Sequence, residues 1–174
     1  MTSMSAEEYW RTRQNFEYYA LVKRWLEELS ASKSELSICD VGSYHTPVAT
    51  WGTFARRYTV DIKHAWKLPG VTSFVADFRT WKPPHHMTAV TCLQVLEHLP
   101  DSVIRAFSLK LRLISDHTFV SVPFMWKRGQ EPDHRQDPIN LAKLSRWMGR
   151  EPDEHHIVHD TKHDRLVARW NNTR

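Results

Sequence analysis

Acidic side chains and one histidine stand at the ends of four successive short apolar runs of the sequence. They are Asp40, Asp61, Asp77 and the pair Glu97-His98. Carboxylates accept hydrogen bonds from sugar hydroxyls and amino groups, and a histidine of ordinary pKa can take up a proton near neutral pH. If the apolar runs are parallel strands of one sheet, these groups meet outside its carboxyl edge, where ligands of such sheets bind.

The apolar runs alternate with segments of helical periodicity, which predicts an α/β fold. We expect strands at 36–41, 58–62, 71–76, 88–94 and 118–122, with two further strands near 156–159 and 165–170. We expect helices at 5–30, 47–57, 101–114 and 138–148, the last with Asp137 as N-cap and Pro138 in its first turn. The alternation predicts a three-layer sandwich, in which helices cover both faces of a mostly parallel sheet. The last two strands form an antiparallel hairpin at the C-terminal edge.

The turn after the first predicted strand decides between classes of cofactor. A dinucleotide-binding turn needs G-x-G-x-x-G, but residues 42–47 contain only Gly42, with Tyr44 in the position of the second glycine. A P-loop is excluded because the chain has no G-K-[ST]. The phosphate-free cofactor S-adenosylmethionine (SAM) needs a tight turn, which Gly42 provides, and a carboxylate for its ribose. Asp61 lies 19 residues after Gly42, where a ribose-binding acid is expected.

Four segments of the sequence resemble the motifs of a known family. ICDVGS, TVDI, ADF and CLQVLEHLP, which lie within residues 36–124, are similar to motifs I to IV of the class I SAM-dependent methyltransferases. The VLEHLP form of the last motif resembles the small-molecule branch of that family. The resemblance implies a Rossmann-like sandwich with SAM as its cofactor. The cofactor contacts that it implies are Asp40, Gly42, Ser43, Tyr44, Asp61, Ile62, Asp77, Phe78, Gln94 and Val95.

Methyl transfer from a sulfonium requires above all that the acceptor is aligned with the methyl carbon. A base helps when the acceptor is a hydroxyl or a protonated amine. His98 is the candidate base, because it follows the fourth strand beside the expected methyl position. Glu97 could orient His98 or contact the acceptor.

The acceptor pocket is expected to come from two segments outside the four motifs. The loop 123–137 contributes Trp126 and His134, and the N-terminal helix 5–30, a possible lid, contributes the two residues Tyr9 and Trp10. The predicted acceptor is a small molecule or a glycan that is methylated on oxygen or nitrogen.

Two alternative functions remain open on the sequence. Small-RNA 2′-O-methyltransferases bind a divalent ion through E-x-x-E-H and a later histidine, and this chain has Gln94, Glu97, His98 and then His134. Gln94, in place of the first glutamate, is a weaker ligand for a hard cation. The remaining histidines match no zinc module, so no metal ligand is assigned. Because Tyr44 stands where the family usually has a glycine, a catalytically inactive SAM-fold binding module is the second alternative.

Length and composition place broad limits on the protein. The 174 residues predict a single domain, 1–174. The net charge is only +4, and scattered lysines and arginines do not favour a nucleic-acid partner. Cys39 and Cys92 lie inside apolar runs, as expected of unpaired core residues in a cytoplasmic protein. We identify no secretory leader and no membrane-spanning run, and no pattern indicates an oligomeric state.

Overall fold

Seven strands form one mixed sheet in the computed structural model of the chain, which describes residues 4–31, 34–64, 66–160 and 163–173. The strands are β1 (Ser37–Val41), β2 (Arg56–Asp61), β3 (Thr72–Val75), β4 (Met87–Leu93), β5 (Ser115–Pro123), β6 (Glu154–Asp160) and β7 (His163–Asn171). Their order is β3-β2-β1-β4-β5-β7-β6, in which the first five are parallel and β7 is antiparallel to both β5 and β6. The predicted α/β fold with an antiparallel C-terminal edge hairpin is confirmed.

The order of the strands reverses at the centre of the sheet. From β1 the chain builds β2 and β3 on one side, and it then crosses to β4 and β5 on the other. All of β1 and most of β4 are buried, because both faces of these central strands are covered. The carboxyl ends of β1 and β4 therefore border the crevice in which open α/β sheets bind their ligands.

Helices cover both faces of the sheet. Within the described residues they are α1 (Ala6–Arg11), α2 (Glu17–Ser30), α3 (Asp101–Leu113) and α4 (Leu141–Met148). On one face, Trp25 of α2 lies in a buried cluster with Phe119 of β5. On the other face, Ile104 of α3 and Leu144 of α4 share a second cluster with Val90 of β4. None of these helices has the length and apolar character needed to cross a membrane.

The N-terminal segment 5–30, predicted as one helix, forms two. The first helix ends where the hydroxyl of Thr12 donates to the carbonyl of Tyr9 at 2.9 Å. The second begins where the backbone N–H of Glu17 donates to the carboxylate of Asp160, which belongs to β6. A contact between residues 143 positions apart therefore sets the break, and the local periodicity of the sequence does not reveal it.

The prediction of an α-helix over 47–57 is wrong. Only a single 3-10 turn, Val48–Thr50, forms there. The guanidinium of Arg57 donates to three carbonyls of this segment at 2.7 to 3.3 Å, those of Ala49, Trp51 and Gly52. In an α-helix, main-chain N–H groups would occupy such carbonyls. The side chain of Arg57 takes their place and holds the segment as a loop, while its own backbone enters β2.

The last helix begins three residues later than predicted. Its N-cap is Asn140, whose side-chain oxygen accepts from the N–H of Lys143 at 2.9 Å. The prediction that Asp137 is the N-cap is wrong, because its carboxylate binds Nδ1 of His134 at 2.8 Å instead. The predicted end of the helix at Gly149 is confirmed, since this glycine has the left-handed φ of 79° that commonly ends a helix.

Candidate functional site

A cleft of about 890 Å³ opens at the carboxyl ends of β1 to β4. Most of the predicted site residues line it: Tyr9, Gly42, Tyr44, Asp61, Ile62, Asp77, Phe78, Gln94, Val95 and His98. Six predicted residues do not line it: Trp10, Asp40, Ser43, Glu97, Trp126 and His134. Strand ends that are far apart in sequence therefore meet around one cavity.

The turn after β1 is pressed against the end of β4. Gly42 has a φ of 74°, and a Cβ atom on it would lie 2.4 Å from Cγ2 of Val95. Its N–H donates to the carbonyl of Val60 in β2 at 2.7 Å. Only glycine combines this left-handed backbone with such a close approach, so the turn shapes the floor of the cleft where β1 and β4 diverge.

Asp61, at the end of β2, ties two loops together beside this turn. Oδ2 of its carboxylate accepts from the N–H of Tyr44 at 3.1 Å. Oδ1 accepts from the N–H groups of Lys63 and His64 at 2.8 and 2.9 Å. A carboxylate has about four acceptor positions, so Asp61 keeps roughly one for a ligand in the cleft.

The segment after β3 presents a carboxylate and an aromatic ring to the cleft. Asp77 forms an ion pair with Arg79 at 2.5 Å, and the hydrogen bonds from Arg79 lower the pKa of Asp77 below its usual value. Phe78 packs against Phe107 of α3 with the ring centres 4.7 Å apart. The Nζ of Lys110 donates to the carbonyl of Phe78 at 2.5 Å, which anchors the segment to α3.

Gln94, at the end of β4, is held in place by its neighbours on the sheet. It has a φ of 56°, and its amide nitrogen donates to Oγ of Ser121 at 3.1 Å. Its amide oxygen accepts from Nε of Arg165 at 3.1 Å. The side-chain amide of Gln94 is therefore directed toward β5 and β7.

Asp40 lies inside the molecule, behind the turn at Gly42. It is 1% exposed, and burial raises the pKa of its carboxyl to about 7. Oδ1 accepts from the hydroxyl of Thr91 at 2.6 Å, and Oδ2 lies 3.3 Å from the hydroxyl of Thr46. That hydroxyl is closer, at 2.8 Å, to the carbonyl of Ser43. Asp40 and the buried Ser43 thus support the turn from behind.

Glu97, His98 and His134 form a compact cluster beside the cleft. Glu97 is 1% exposed, its Oε2 has no hydrogen-bond partner, and burial raises the pKa of its carboxyl to about 8. Nδ1 of His98 donates to the carbonyl of Asp133 at 3.1 Å, and Nδ1 of His134 donates to Oδ2 of Asp137 at 2.8 Å. Because a carbonyl or carboxylate can only accept, each ring carries a proton on Nδ1, and in the neutral form of the ring the lone pair is on Nε2.

The loop after β5 is attached to this cluster through the backbone. The carbonyl of Glu97 accepts from the N–H groups of Arg135 and Gln136 at 2.8 and 3.2 Å. Trp126 stacks on His134 with the ring centres 5.4 Å apart, and its Nε1 donates to the carbonyl of Asp164 at 2.9 Å. Trp126 therefore supports His134 from outside the cleft.

The two aromatic residues predicted near the N-terminus have different positions. Tyr9 lines the cleft and meets Tyr44 edge-to-face with the ring centres 4.8 Å apart. Trp10 packs against Tyr19 and Trp51 at 5.0 and 6.1 Å and does not itself line the cleft. Tyr9 is thus placed to cover a ligand, whereas Trp10 holds α1 against the rest of the chain.

Other residues line the cleft without having been predicted, among them Tyr18, Tyr19, Asp133 and Arg135. The tyrosines belong to the buried face of α2, where their spacing indicates only a helix. Asp133 and Arg135 lie in an irregular loop with no motif. The prediction that loop 123–137, with Trp126 and His134, lies over the acceptor site pointed to this loop but not to these two residues.

Comparison with known proteins finds no matching protein-family model and no matching curated protein. Among solved structures, the N-methyltransferase NodS from Bradyrhizobium japonicum WM9, bound to S-adenosylhomocysteine (SAH), matches with a TM-score of 0.67 and 14% identity over 95% of this chain and 92% of that one. The magnesium protoporphyrin IX methyltransferase ChlM from Synechocystis PCC 6803, with SAH, matches with a TM-score of 0.68 and 16% identity over 97% and 88%. The 1,6-didemethyltoxoflavin-N1-methyltransferase from Burkholderia thailandensis matches with a TM-score of 0.64 and 12% identity over 97% of this chain and 91% of that one. The chain has the fold of these methyltransferases.

Proposed function

We propose that this chain is a SAM-dependent methyltransferase that transfers a methyl group to oxygen or nitrogen of a small-molecule or glycan acceptor. The observation that carries the proposal is the turn at Gly42, pressed against Val95 beside the carboxylate of Asp61 where the strand order reverses. Solved structures of the same fold with bound SAH or SAM support it.

The groups around the cleft suit the separate parts of SAM. The backbone from Gly42 to Tyr44 would hold the methionine part, and the remaining acceptor position of Asp61 suits a ribose hydroxyl. Asp77 would accept from the adenine amine, while the ring of Phe78 packs against the base. When bound, SAM supplies an electrophilic methyl group, so the protein's task is to align the acceptor with it.

The residues after β1 do not suit a dinucleotide. Such cofactors place their pyrophosphate at the N-terminus of the α-helix that follows the glycine-rich turn. The described residues 42–55 contain only the 3-10 turn Val48–Thr50. Tyr44, with a φ of 42°, brings a bulky side chain to the position where a second glycine would admit phosphates. The cleft therefore favours a cofactor without phosphate.

The acceptor would be bound between α1 and the loop after β5. Tyr9 and Arg135 line the cleft from these two segments. The exposed ring of His98 offers the lone pair of Nε2, which can accept a proton from the acceptor or bind a cation. The names of two neighbours contain magnesium protoporphyrin IX and 1,6-didemethyltoxoflavin. Both compounds are small molecules, which supports a small-molecule acceptor.

Calorimetric titration of the purified chain with SAH, SAM and NADH tests the proposal. We expect SAH and SAM to bind and NADH to give no heat of binding. In the Gly42→Ala variant the new Cβ would meet Cγ2 of Val95 at 2.4 Å, so we expect SAH affinity to fall by more than about tenfold, the equivalent of roughly 1.4 kcal/mol.

Gly70→Ala is the matched control for this variant. Gly70 has a φ of 72°, close to that of Gly42, but its Cβ would meet nothing within 4 Å. Both variants place an alanine in a left-handed backbone conformation, which costs roughly 1–2 kcal/mol of stability. Only Gly42→Ala should also lose affinity for SAH. Binding of NADH without SAH would refute the proposal. Binding of SAH without methyl transfer to a broad acceptor panel would favour the inactive binding module.

A further inference from the structure

The cluster beside the cleft has the arrangement of a metal site. One ligating atom each from Glu97, His98 and His134 lies within 4.8 Å of the other two. Two metal bonds of about 2.1 Å span at most roughly 4.2 Å. The difference of a few tenths of an ångström is within the reach of a side-chain rotation. The three residues come from a tight turn after β4 and from the loop after β5, which main-chain hydrogen bonds to Glu97 hold in place.

Each of the two imidazoles makes the second hydrogen bond that is typical of a metal-binding histidine. Nδ1 of His98 is bound to the carbonyl of Asp133, and Nδ1 of His134 to the carboxylate of Asp137. Histidines that bind metals almost always donate their other ring N–H to a carbonyl or carboxylate, which fixes the tautomer and makes the ligating nitrogen more basic. Both rings of the cluster make such a hydrogen bond through Nδ1.

The third member of the cluster is a buried carboxylate with an unused oxygen. Glu97 is 1% exposed, and its Oε2 has no hydrogen-bond partner. Oδ1 of the equally buried Asp137 also lacks a partner. Buried polar atoms are normally paired, because leaving one unpaired costs free energy. A cation between Glu97 and the two histidines would satisfy Oε2 and balance the buried carboxyl groups.

We infer that Glu97, His98 and His134 bind a divalent transition-metal ion such as Zn²⁺. Gln94 is not part of the ligand set, because its amide is bound to Ser121 and Arg165. Two imidazoles and one carboxylate make up the protein ligands of one type of catalytic zinc site, which keeps a further position open. Cages for Mg²⁺ and Ca²⁺ are instead built from oxygen ligands.

The position of the metal site relative to the cleft indicates what binds at the open coordination position of the metal. This step rests on the proposed function. His98 lines the cleft, whereas Glu97 and His134 lie behind it, so the open position faces the acceptor. An acceptor hydroxyl bound there loses its proton to solvent more readily, because the cation stabilises the oxyanion. The oxyanion oxygen then forms the bond to the methyl carbon as the bond from that carbon to sulfur breaks. His98 is in this case a metal ligand and not the base.

Zn²⁺ binding by the full chain tests the inference. The protein is stripped with a chelator, dialysed, and titrated with Zn²⁺ in competition with a chromophoric indicator. We expect one equivalent to bind tightly, with affinity lowered more than about 100-fold in Glu97→Gln and His134→Asn, and about 10- to 100-fold in Asp137→Asn. His86→Gln is the control, since its exposed pair with Asp116 lies where β4 and β5 begin, at the edge of the sheet opposite the cleft, and it should bind like the wild type.

The outcomes separate this inference from the proposed function. Glu97→Gln keeps the shape of the side chain, so its Zn²⁺ affinity still tests the metal site if His134→Asn does not fold. Wild-type Zn²⁺ affinity in Glu97→Gln, or no binding by the unaltered chain, would overturn the metal site. SAH titrated into the metal-free protein measures the cofactor independently. If the protein binds Zn²⁺ but not SAH, the proposed function is overturned and the metal site is supported. If it binds SAH but not Zn²⁺, the metal site is overturned and the proposed function is supported.

Discussion

Replacing Asp40 by asparagine should make the protein more resistant to rising pH. The carboxyl is fully buried, and the hydroxyl of Thr46 beside it is better placed to donate to the carbonyl of Ser43, at 2.8 Å, than to Asp40, at 3.3 Å. A protonated Asp40 can itself donate to Thr46 while it accepts from Thr91. An asparagine can make the same two hydrogen bonds, so the substitution removes a titrating group and keeps its contacts.

The magnitude follows from the difference in pKa between the two states. Burial raises the pKa of Asp40 in the folded protein from 3.8 to about 7. Between these two pH values Asp40 keeps its proton in the folded chain but has released it in the unfolded chain. The stability that the protonated Asp40 contributes to the fold is therefore complete below about pH 4, and it is lost as the pH rises through 7. From pH 5 to pH 8 the wild type should lose about 2.5 kcal/mol relative to Asp40→Asn, at 1.36 kcal/mol per pKa unit.

Urea unfolding of both proteins at several pH values between 5 and 8 measures this difference. The quantity to plot is the free energy of unfolding of the wild type minus that of Asp40→Asn, because every other titrating group cancels. Glu27→Gln is the control, since Glu27 is an exposed carboxylate on α2 whose charged partner Lys23 lies 3.9 Å away. The free energy of unfolding of the wild type minus that of Glu27→Gln should not change with pH. A flat line for Asp40→Asn as well would show that the charged carboxylate is stabilised inside the protein, which would refute the reasoning.

Three further substitutions have expected outcomes. Asn140→Ala removes the cap of α4 and should cost about 1 kcal/mol in urea unfolding, whereas Asn140→Asp should not. Lys110→Met removes donors to the carbonyls of Phe78 and Trp81, so we expect a loss of about 2 kcal/mol in the same assay; an unchanged midpoint would contradict this. Tyr9→Ala removes the edge-to-face contact with Tyr44 that holds α1 to the turn at Gly42, and such a contact is worth about 0.5–1.5 kcal/mol. Stopped-flow displacement should therefore show SAH dissociating up to about tenfold faster, and an unchanged rate would argue against a covering role for α1.

The strands and the edge of the cleft follow from short-range patterns in the sequence. Runs of buried apolar residues in β1 and β4 predict central strands, because both faces of these strands are covered. Gly42, Asp61 and Asp77 mark the strand ends, and parallel strands bring such ends to one edge. These features depend on the residue types at neighbouring positions, so they can be identified without knowing what packs against them.

The errors over the helices have a common cause. The break between α1 and α2 depends on Asp160, and the loop after β1 depends on the side chain of Arg57. Helical propensities amount to only fractions of a kcal/mol per residue, while hydrogen bonds to charged side chains contribute roughly 1.5–3 kcal/mol. A few tertiary contacts therefore override the local preference.

The sequence alone determined the order of acids along the strands and the single-glycine turn that favours a phosphate-free cofactor over a dinucleotide. It also grouped Glu97, His98 and His134, with Gln94, by their likeness to a divalent-ion motif. Only the tertiary structure decided that these three residues adjoin one another, because the loop that carries His134 is fixed by hydrogen bonds to the carbonyl of Glu97. Such loop closure depends on pairing between main-chain groups, which every residue except proline offers alike. For that reason the sequence motif includes the three residues but does not show how the loop brings them together.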